Sequence, residues 1–205
     1  MFFIVLPLIT LVTLLIFYKL VFLRNPTRSV PKQRVIVSPA DGKVIMAQPY
    51  SSNQLLLHKG NKPSKGSVHT LTGSVGTEGY VVSIFMNIFN VHYNRIPYDG
   101  TVIQIKHSQG KYIPAHTLKA SFKNEKTETI ITSKSMTIKV IQVAGFLARR
   151  IETYVKKDDH VRTGQILGRI NFGSQVTVIL PVNVTLNVKS GDKVKAGESI
   201  IAYPR

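Results

Sequence analysis

A Gly-Ser step, Gly173-Ser174, stands immediately ahead of an alternating β-forming run, Gln175-Val176-Thr177-Val178-Ile179-Leu180, and these two residues can do chemistry on their own backbone. Glycine lacks a Cβ, so it tolerates strained φ/ψ and leaves its carbonyl open to attack. The nearest attacker is the next side chain. A base that takes the Ser174 hydroxyl proton lets the oxygen add to the Gly173 carbonyl, exchanging the peptide bond for an ester and freeing the amine of residue 174. Loss of the Ser174 α-proton then expels the Gly173 carboxylate and leaves dehydroalanine. Tautomerisation and hydrolysis release ammonia and leave an N-terminal pyruvoyl ketone. The dipeptide alone does not select this outcome, because Gly66-Ser67 and Gly73-Ser74 repeat it and a turn is its ordinary use. Its setting separates the third copy: a serine at a strand entrance is held in place.

Of the six histidines, His92 is the best base or acid. His58, His69, His107, His116 and His160 lie in polar, loop-like contexts suited to a solvated imidazole, whereas His92 follows the apolar strand Val81 to Phe85 within the dense block Phe89 to Pro97. Asp41, in Pro39-Ala40-Asp41-Gly42, reads by itself as an Asp-Gly turn residue. No metal site is expected. Cysteine is absent, and His92 is followed by Tyr93, Asn94 and Arg95 rather than by the second histidine of a zinc pair.

The elements that must position these residues read as β. Short β-branched or aromatic runs predict strands at Val35–Val37, Lys43–Met46, Gln54–Leu57 and Tyr80–Phe85, cut by Gly, Pro, Asn and Ser. Asn61 to Gly79 reads as a solvated loop or, beside a membrane, a lid. Two internal echoes define the architecture. Val155 to Gly164 recurs as Val188 to Gly197 with Asp, Val and Gly in register, and Asp41-Gly42-Lys43-Val44-Ile45 recurs as Asp99-Gly100-Thr101-Val102-Ile103. Such turn-and-strand units predict an all-β, barrel-sandwich body with lipoyl-like hammerhead repeats and one N-terminal membrane helix. Lipoyl carriers, membrane-anchored adaptors and some zinc peptidases share these turns, so the repeat speaks to fold and not to function.

With 205 residues there is room for one domain and an appendage. A net charge of +17 predicts attraction to a polyanion, either nucleic acid or an anionic lipid surface. Residues Met1 to Tyr18 carry no charge and are dominated by Phe, Ile, Leu and Val; as a helix they span roughly 27 Å. The segment lacks the basic start and small-residue end of a signal peptide, so a retained anchor over 1–23 is expected, spanning or, given Pro7, bent and monotopic. Lys19, Arg24, Arg28, Lys32 and Arg34 follow with no acid among them, which puts the body on the cytoplasmic side against anionic headgroups. The charges are otherwise spread along the chain with no nucleic-acid module, so no nucleic-acid partner is expected.

The blocks Gln142 to Ile151 and Phe172-Gly173-Ser174-Gln175-Val176 closely resemble the self-processing region of the phosphatidylserine decarboxylase family, in particular the short branch that includes archaetidylserine decarboxylases. Ser38 to Val44 and Phe89 to Pro97 match two further family blocks, so the resemblance covers about Phe22 to Pro181. Phe22 to Arg28 resembles the family's membrane-exit motif, with Asn25 where an acid is common. The resemblance implies cleavage between Gly173 and Ser174 into chains 1–173 and 174–205, which stay together as a heterodimer, with Ser174 converted to the pyruvoyl cofactor. It implies a triad of Asp41, His92 and Ser174, the acid orienting the base. The activity implied is decarboxylation of a serine phospholipid, archaetidylserine or phosphatidylserine, to the ethanolamine lipid through a Schiff base. Longer relatives carry His-x-x-His where this chain has His92 and Arg95, so His92 serves both steps or another group helps. Arg95, Arg149 and Arg150 are candidates for the lipid phosphate, against the ordinary reading of an arginine pair as a solvated face. Lys126 stands where a family Asn-Glu block continues with arginine. The organisation expected is anchor 1–23, basic linker 24–34 and decarboxylase domain 35–205. The competing reading is a non-enzymatic, membrane-anchored β-sandwich adaptor, which would remain one intact chain.

Overall fold

The structure is a computed structural model that describes residues 2–51, 54–55, 72–111, 118–145, 150–171 and 174–205. Strand β12 (Ser174–Pro181) is buried on both faces from Ser174 to Leu180. Val176, Val178 and Leu180 face the main core, while Ile179 joins a second cluster with Val81, Ile141 and Val143 on the other side. A strand covered on both faces belongs at the centre of its sheet. β12 accordingly pairs antiparallel with β4 (Glu78–Met86) on one side and β8 (Thr137–Val143) on the other. β2 (Gly42–Ser51) lies beyond β4, and β7 (Lys126–Thr132) then β6 (Gly100–Ser108) lie beyond β8. The short strands β3 (Gln54–Leu55), β10 (His160–Val161) and β14 (Lys193–Val194) complete a nine-stranded, curled half-barrel sheet.

Two small sheets pack on it. One joins β1 (Ile36–Val37), β15 (Ile200–Pro204) and β13 (Val184–Leu186); the other joins β5 (Tyr93–Arg95), β11 (Ile166–Ile170) and β9 (Ile151–Thr153). The expectation of a β body behind one N-terminal apolar helix holds at this level. A six-residue helix, Leu118–Lys123, is too short to show a period in sequence and places Ala120 and Phe122 against the second cluster. Residues 61–71 of the expected loop lie outside the described residues, as do Leu56 and Leu57. At its other end the loop is shorter than read, because Glu78 and Gly79 belong to β4, where Gly79 pairs with Pro181.

The two echoes have the same geometry. Val44 donates its N–H to Asp192 O (2.8 Å) and Val102 donates to Asp159 O (2.9 Å); Gly191 N–H returns to Val44 O (2.8 Å) and Asp158 N–H to Val102 O (2.7 Å). Asp158 and Gly191 both have positive φ at this shared turn. Gly197 donates to Ser38 O and Gly164 to Ile96 O, and the halves cross-link through Val37 N–H to Pro97 O and Arg95 N–H to Pro39 O. The body is thus built from two like corners around a pseudo-twofold relation.

Helix α1 (Phe2–Phe17) continues as a π-helical turn over Tyr18–Phe22. Residues Val5–Phe22 have a mean hydropathy of 2.3 and are almost wholly outside the body, long and apolar enough to cross a membrane. Only the last of them, Phe22, is fully buried in the body.

Candidate active site

Ser174 is the first residue of β12, opposite Met86 of β4, and is fully buried. Its Oγ has no hydrogen-bond partner among the described residues. Side chains alternate along strands, so Ser174 faces the side of Val176, Met86 and Gln142. Gln142 sits opposite Val176, one diagonal step from Ser174. Asn94 bridges above them, its Nδ2 donating to Met86 Sδ at 3.5 Å and its Oδ1 accepting from Gln142 Nε2 at 2.8 Å. The remaining oxygen of Gln142 has no partner among the described residues. On the opposite face of β12, Gln175 donates to Ser121 Oγ and Thr177 Oγ1, which ties the short helix to the strand just past Ser174.

His92 lies two residues before Asn94 and is fully buried. Its carbonyl accepts from Ile170 N–H (3.3 Å), which joins it to β11, the strand that leads into the Gly173-Ser174 connection. The Nδ1 lies 2.9 Å from Asn90 O, and since a carbonyl only accepts, Nδ1 carries the proton. Nε2 therefore keeps its lone pair, and no group among the described residues bonds to it. The Phe22 ring covers the imidazole at 4.1 Å between centroids. Burial pushes the His92 pKa down to about 4; the Asn90 bond opposes the shift and the Arg24 charge adds to it. The ring is a neutral base at physiological pH. Among the described residues Ser174 Oγ and His92 Nε2 are both buried without a hydrogen-bond partner, as are six other side-chain atoms; what sets these two apart is that one is a hydroxyl and the other an unprotonated base at the same end of the sheet.

Asp41 closes the turn before β2. Gly42 belongs there because a Cβ would come within 2.1 Å of Phe85 O. Lys43 stands opposite Phe85 and Phe85 opposite Gln175, so Asp41 and Ser174 lie at the same end of three neighbouring strands, about 10 Å apart at two strand spacings. The Asp41 carboxylate takes a forked contact from Arg28 Nη2, 2.9 Å to each oxygen, and accepts Ala196 N–H at 2.7 Å. Glu198 lies 3.8 Å from Arg28 Nη1. The structure thus gathers Asp41, His92 and Ser174 at one end of the sheet without a hydrogen bond between any two of them. The expected orienting contact of Asp41 on His92 is replaced by the Asn90 carbonyl.

Arg95, half-buried, donates to Gly164 O (2.8 Å), Asn25 Oδ1 (2.8 Å) and Pro26 O (3.2 Å), which straps the basic linker to the body. Arg150 is exposed, and its carbonyl accepts Asn171 N–H at 3.3 Å. Arg149 and Gly173 lie outside the described residues. Sequence reasoning missed Asn94, Gln142, Asn90, Arg28 and Phe22 as parts of this site. Gln142 carried a legible signal, since an amide inside an apolar strand pattern must find a buried partner, whereas Asn94 stands between Tyr93 and Arg95.

The model of the phosphatidylserine decarboxylase family matches residues 17–202. A phosphatidylserine decarboxylase proenzyme of Chlorobium phaeobacteroides is 42% identical over 187 residues, which is 91% of this chain and 79% of the relative. The proenzyme of Syntrophus aciditrophicus is 41% identical over 180 residues, 87% of this chain and 76% of the relative. That of Chlorobium limicola is 41% identical over 189 residues, 92% and 80% of the two chains.

Proposed function

The chain belongs to the phosphatidylserine decarboxylase family, and from that premise we propose that it is a self-processing enzyme that cuts itself between Gly173 and Ser174 and then decarboxylates a serine-headgroup phospholipid to the ethanolamine lipid. Phosphatidylserine and archaetidylserine both carry that headgroup. The observation that carries the reading is the Ser174 hydroxyl, fully buried and without a partner at the entrance of the central strand, at the same end of the sheet as an equally unpartnered His92 Nε2.

His92 takes the Ser174 hydroxyl proton at Nε2 as Oγ adds to the Gly173 carbonyl. The ester that results loses the Ser174 α-proton and expels the Gly173 carboxylate, and hydrolysis of the dehydroalanine yields ammonia and the new ketone. The site fits that conversion, because an oxygen with no hydrogen bonds forfeits none when the hydroxyl disappears. A pyruvoyl group at residue 174 supplies an electron sink for loss of CO₂ from an amine-bearing substrate. His92 then holds the proton that the product carbon needs, and Asp41, at the same end of the sheet, is assigned as the supporting acid. Arg28 and Ala196 N–H fix that carboxylate. Arg149 and Arg150 lie in the Gln142 to Ile151 block, where Arg150 O accepts Asn171 N–H, and are assigned to the lipid phosphate, with Arg95 holding the linker over the same end.

Several finer assignments go with this reading. The anchor is 1–23, the basic linker 24–34 and the catalytic body 35–205, on the cytoplasmic side where the basic linker faces anionic headgroups. Chains 1–173 and 174–205 stay associated after cleavage because β12 pairs with both β4 and β8. The doubled corners support a lipoyl-like barrel-sandwich. Intact-mass analysis of the purified protein tests the proposal. Two chains are expected, the smaller beginning with a ketone in place of serine, and Ser174→Ala should leave one chain of full length. Cleavage of the Ser174→Ala protein at this site would overturn the assignment.

A further inference from the structure

The turn Asn87-Ile88-Phe89-Asn90 joins β4 to the segment that carries His92. Its two central residues are apolar and outward, with Phe89 62% exposed and Ile88 40%. Central turn positions ordinarily hold Gly, Pro, Asn, Asp or Ser, so an isoleucine–phenylalanine pair at the tip is out of place against water. Part of the backbone of the turn is bonded within the protein. Asn90 N–H donates to Asn87 O (3.1 Å), Asn87 N–H to Asn90 Oδ1 (2.9 Å) and Phe89 N–H to Asn87 Oδ1 (2.9 Å). Arg24 donates to Phe89 O, and His92 Nδ1 to Asn90 O. Polar backbone groups need such internal partners where no water is present to supply them.

The neighbour of this tip is the apolar helix. Phe17 meets Phe89 edge to face, 5.9 Å between ring centroids, and Arg24 bonds both Phe89 O and Val21 O, locking the helix end to the turn. The exposed apolar surface of residues 5–20 is therefore continuous with the tip. We propose that the Ile88-Phe89 turn is a second membrane contact, inserted at the headgroup–acyl boundary of the leaflet that holds the helix. With Lys19 and Arg24 at that boundary to meet anionic headgroups, a bilayer is the occupant the chemistry favours. The inference rests on the decarboxylase reading for its purpose: His92 follows the tip by three residues, so the tip sets the base at the depth where a phospholipid headgroup arrives. Its physical content is independent of that reading.

The chain has no tryptophan, which makes a single introduced indole a clean probe. Phe89→Trp, Leu15→Trp on the helix and Lys134→Trp at the far end of the sheet are made in the full chain. Each is mixed with vesicles of phosphatidylcholine and phosphatidylglycerol, with and without bromine near the headgroup end of the acyl chains. The expected result is blue-shifted emission and strong bromine quenching for Phe89→Trp and Leu15→Trp, and neither for Lys134→Trp. Quenching of Leu15→Trp without quenching of Phe89→Trp overturns the proposal, whether that indole is in water or against a second copy of the chain. The readout needs no catalytic turnover, so failure of the decarboxylase reading would show separately, as a chain that stays uncleaved while the indole is still quenched.

Discussion

The Asp41 and Asp99 corners are two copies of one backbone device put to different use. Asp41 accepts Ala196 N–H at 2.7 Å, and Asp99 accepts Thr163 N–H at 2.6 Å from the equivalent residue of the other repeat. The strand that follows each aspartate pairs with a two-residue strand of its partner turn, Val194 opposite Gly42 and Val161 opposite Gly100. The difference lies in what covers the carboxylate. Thr163 adds its own hydroxyl to Asp99, which stays exposed, whereas the linker lays Arg28 across Asp41 and buries it. Asp41 also lies at the sheet end that carries Ser174. A repeat thus supplies the carboxylate, and only its surroundings set the proposed catalytic copy apart.

The contrast is sharpest in activity. Asp41→Asn should slow self-cleavage and decarboxylation on the order of a thousandfold, the scale of losing an acid that supports a base, while Asp99→Asn should keep both rates. Timed intact-mass analysis and CO₂ release read the two. Equal losses at both corners would dissolve the distinction.

Next come two effects on stability of about 3 kcal/mol each. Arg28→Met leaves a buried carboxylate unpaired, and denaturant unfolding should show a loss of about 3 kcal/mol that Asp41→Asn in the same chain partly restores. The second concerns pH. The His92 pKa is lowered in the folded protein, so the unfolded chain binds more protons between the ordinary value near 6.5 and about 4. Stability is therefore full above pH 6.5 and falls by about 3 kcal/mol as pH drops to about 4, with no further loss from this group below that. His92→Phe should flatten this part of the curve; an unchanged slope would mean that the imidazole is not buried neutral. The smallest effect is at the Asp99 corner, where Thr163→Val removes one exposed hydroxyl bond of 2.8 Å and should cost about 1 kcal/mol, well below the Arg28 change.

Much of the fold was legible because its signals are local. The alternation after Ser174 fixed β12, and the Asp-x-Val-x-x-Gly echoes fixed the paired corners, since turn chemistry and side-chain period act within a few residues. Gln142 was visible as an amide in an apolar run, yet its partnership with Asn94 spans 48 positions, a separation no periodicity reports. Arg28 looked like one more basic residue of a juxtamembrane linker. Phe22 looked like part of the anchor 1–23, although its ring covers the catalytic candidate His92.

By itself the sequence determined which groups are available: a serine after a glycine at a strand start, a histidine after an apolar strand, two Asp-Gly corners and an uncharged N-terminal helix. These follow from covalent neighbours and short periods. The tertiary structure decided the rest. It chose the Asn90 carbonyl over Asp41 as the holder of the His92 ring, gave Asp41 to Arg28, and left Ser174 Oγ and His92 Nε2 without partners at one sheet end. Those outcomes depend on which distant groups compete for the same proton or lone pair once water is excluded, and that competition is settled only when the strands are side by side.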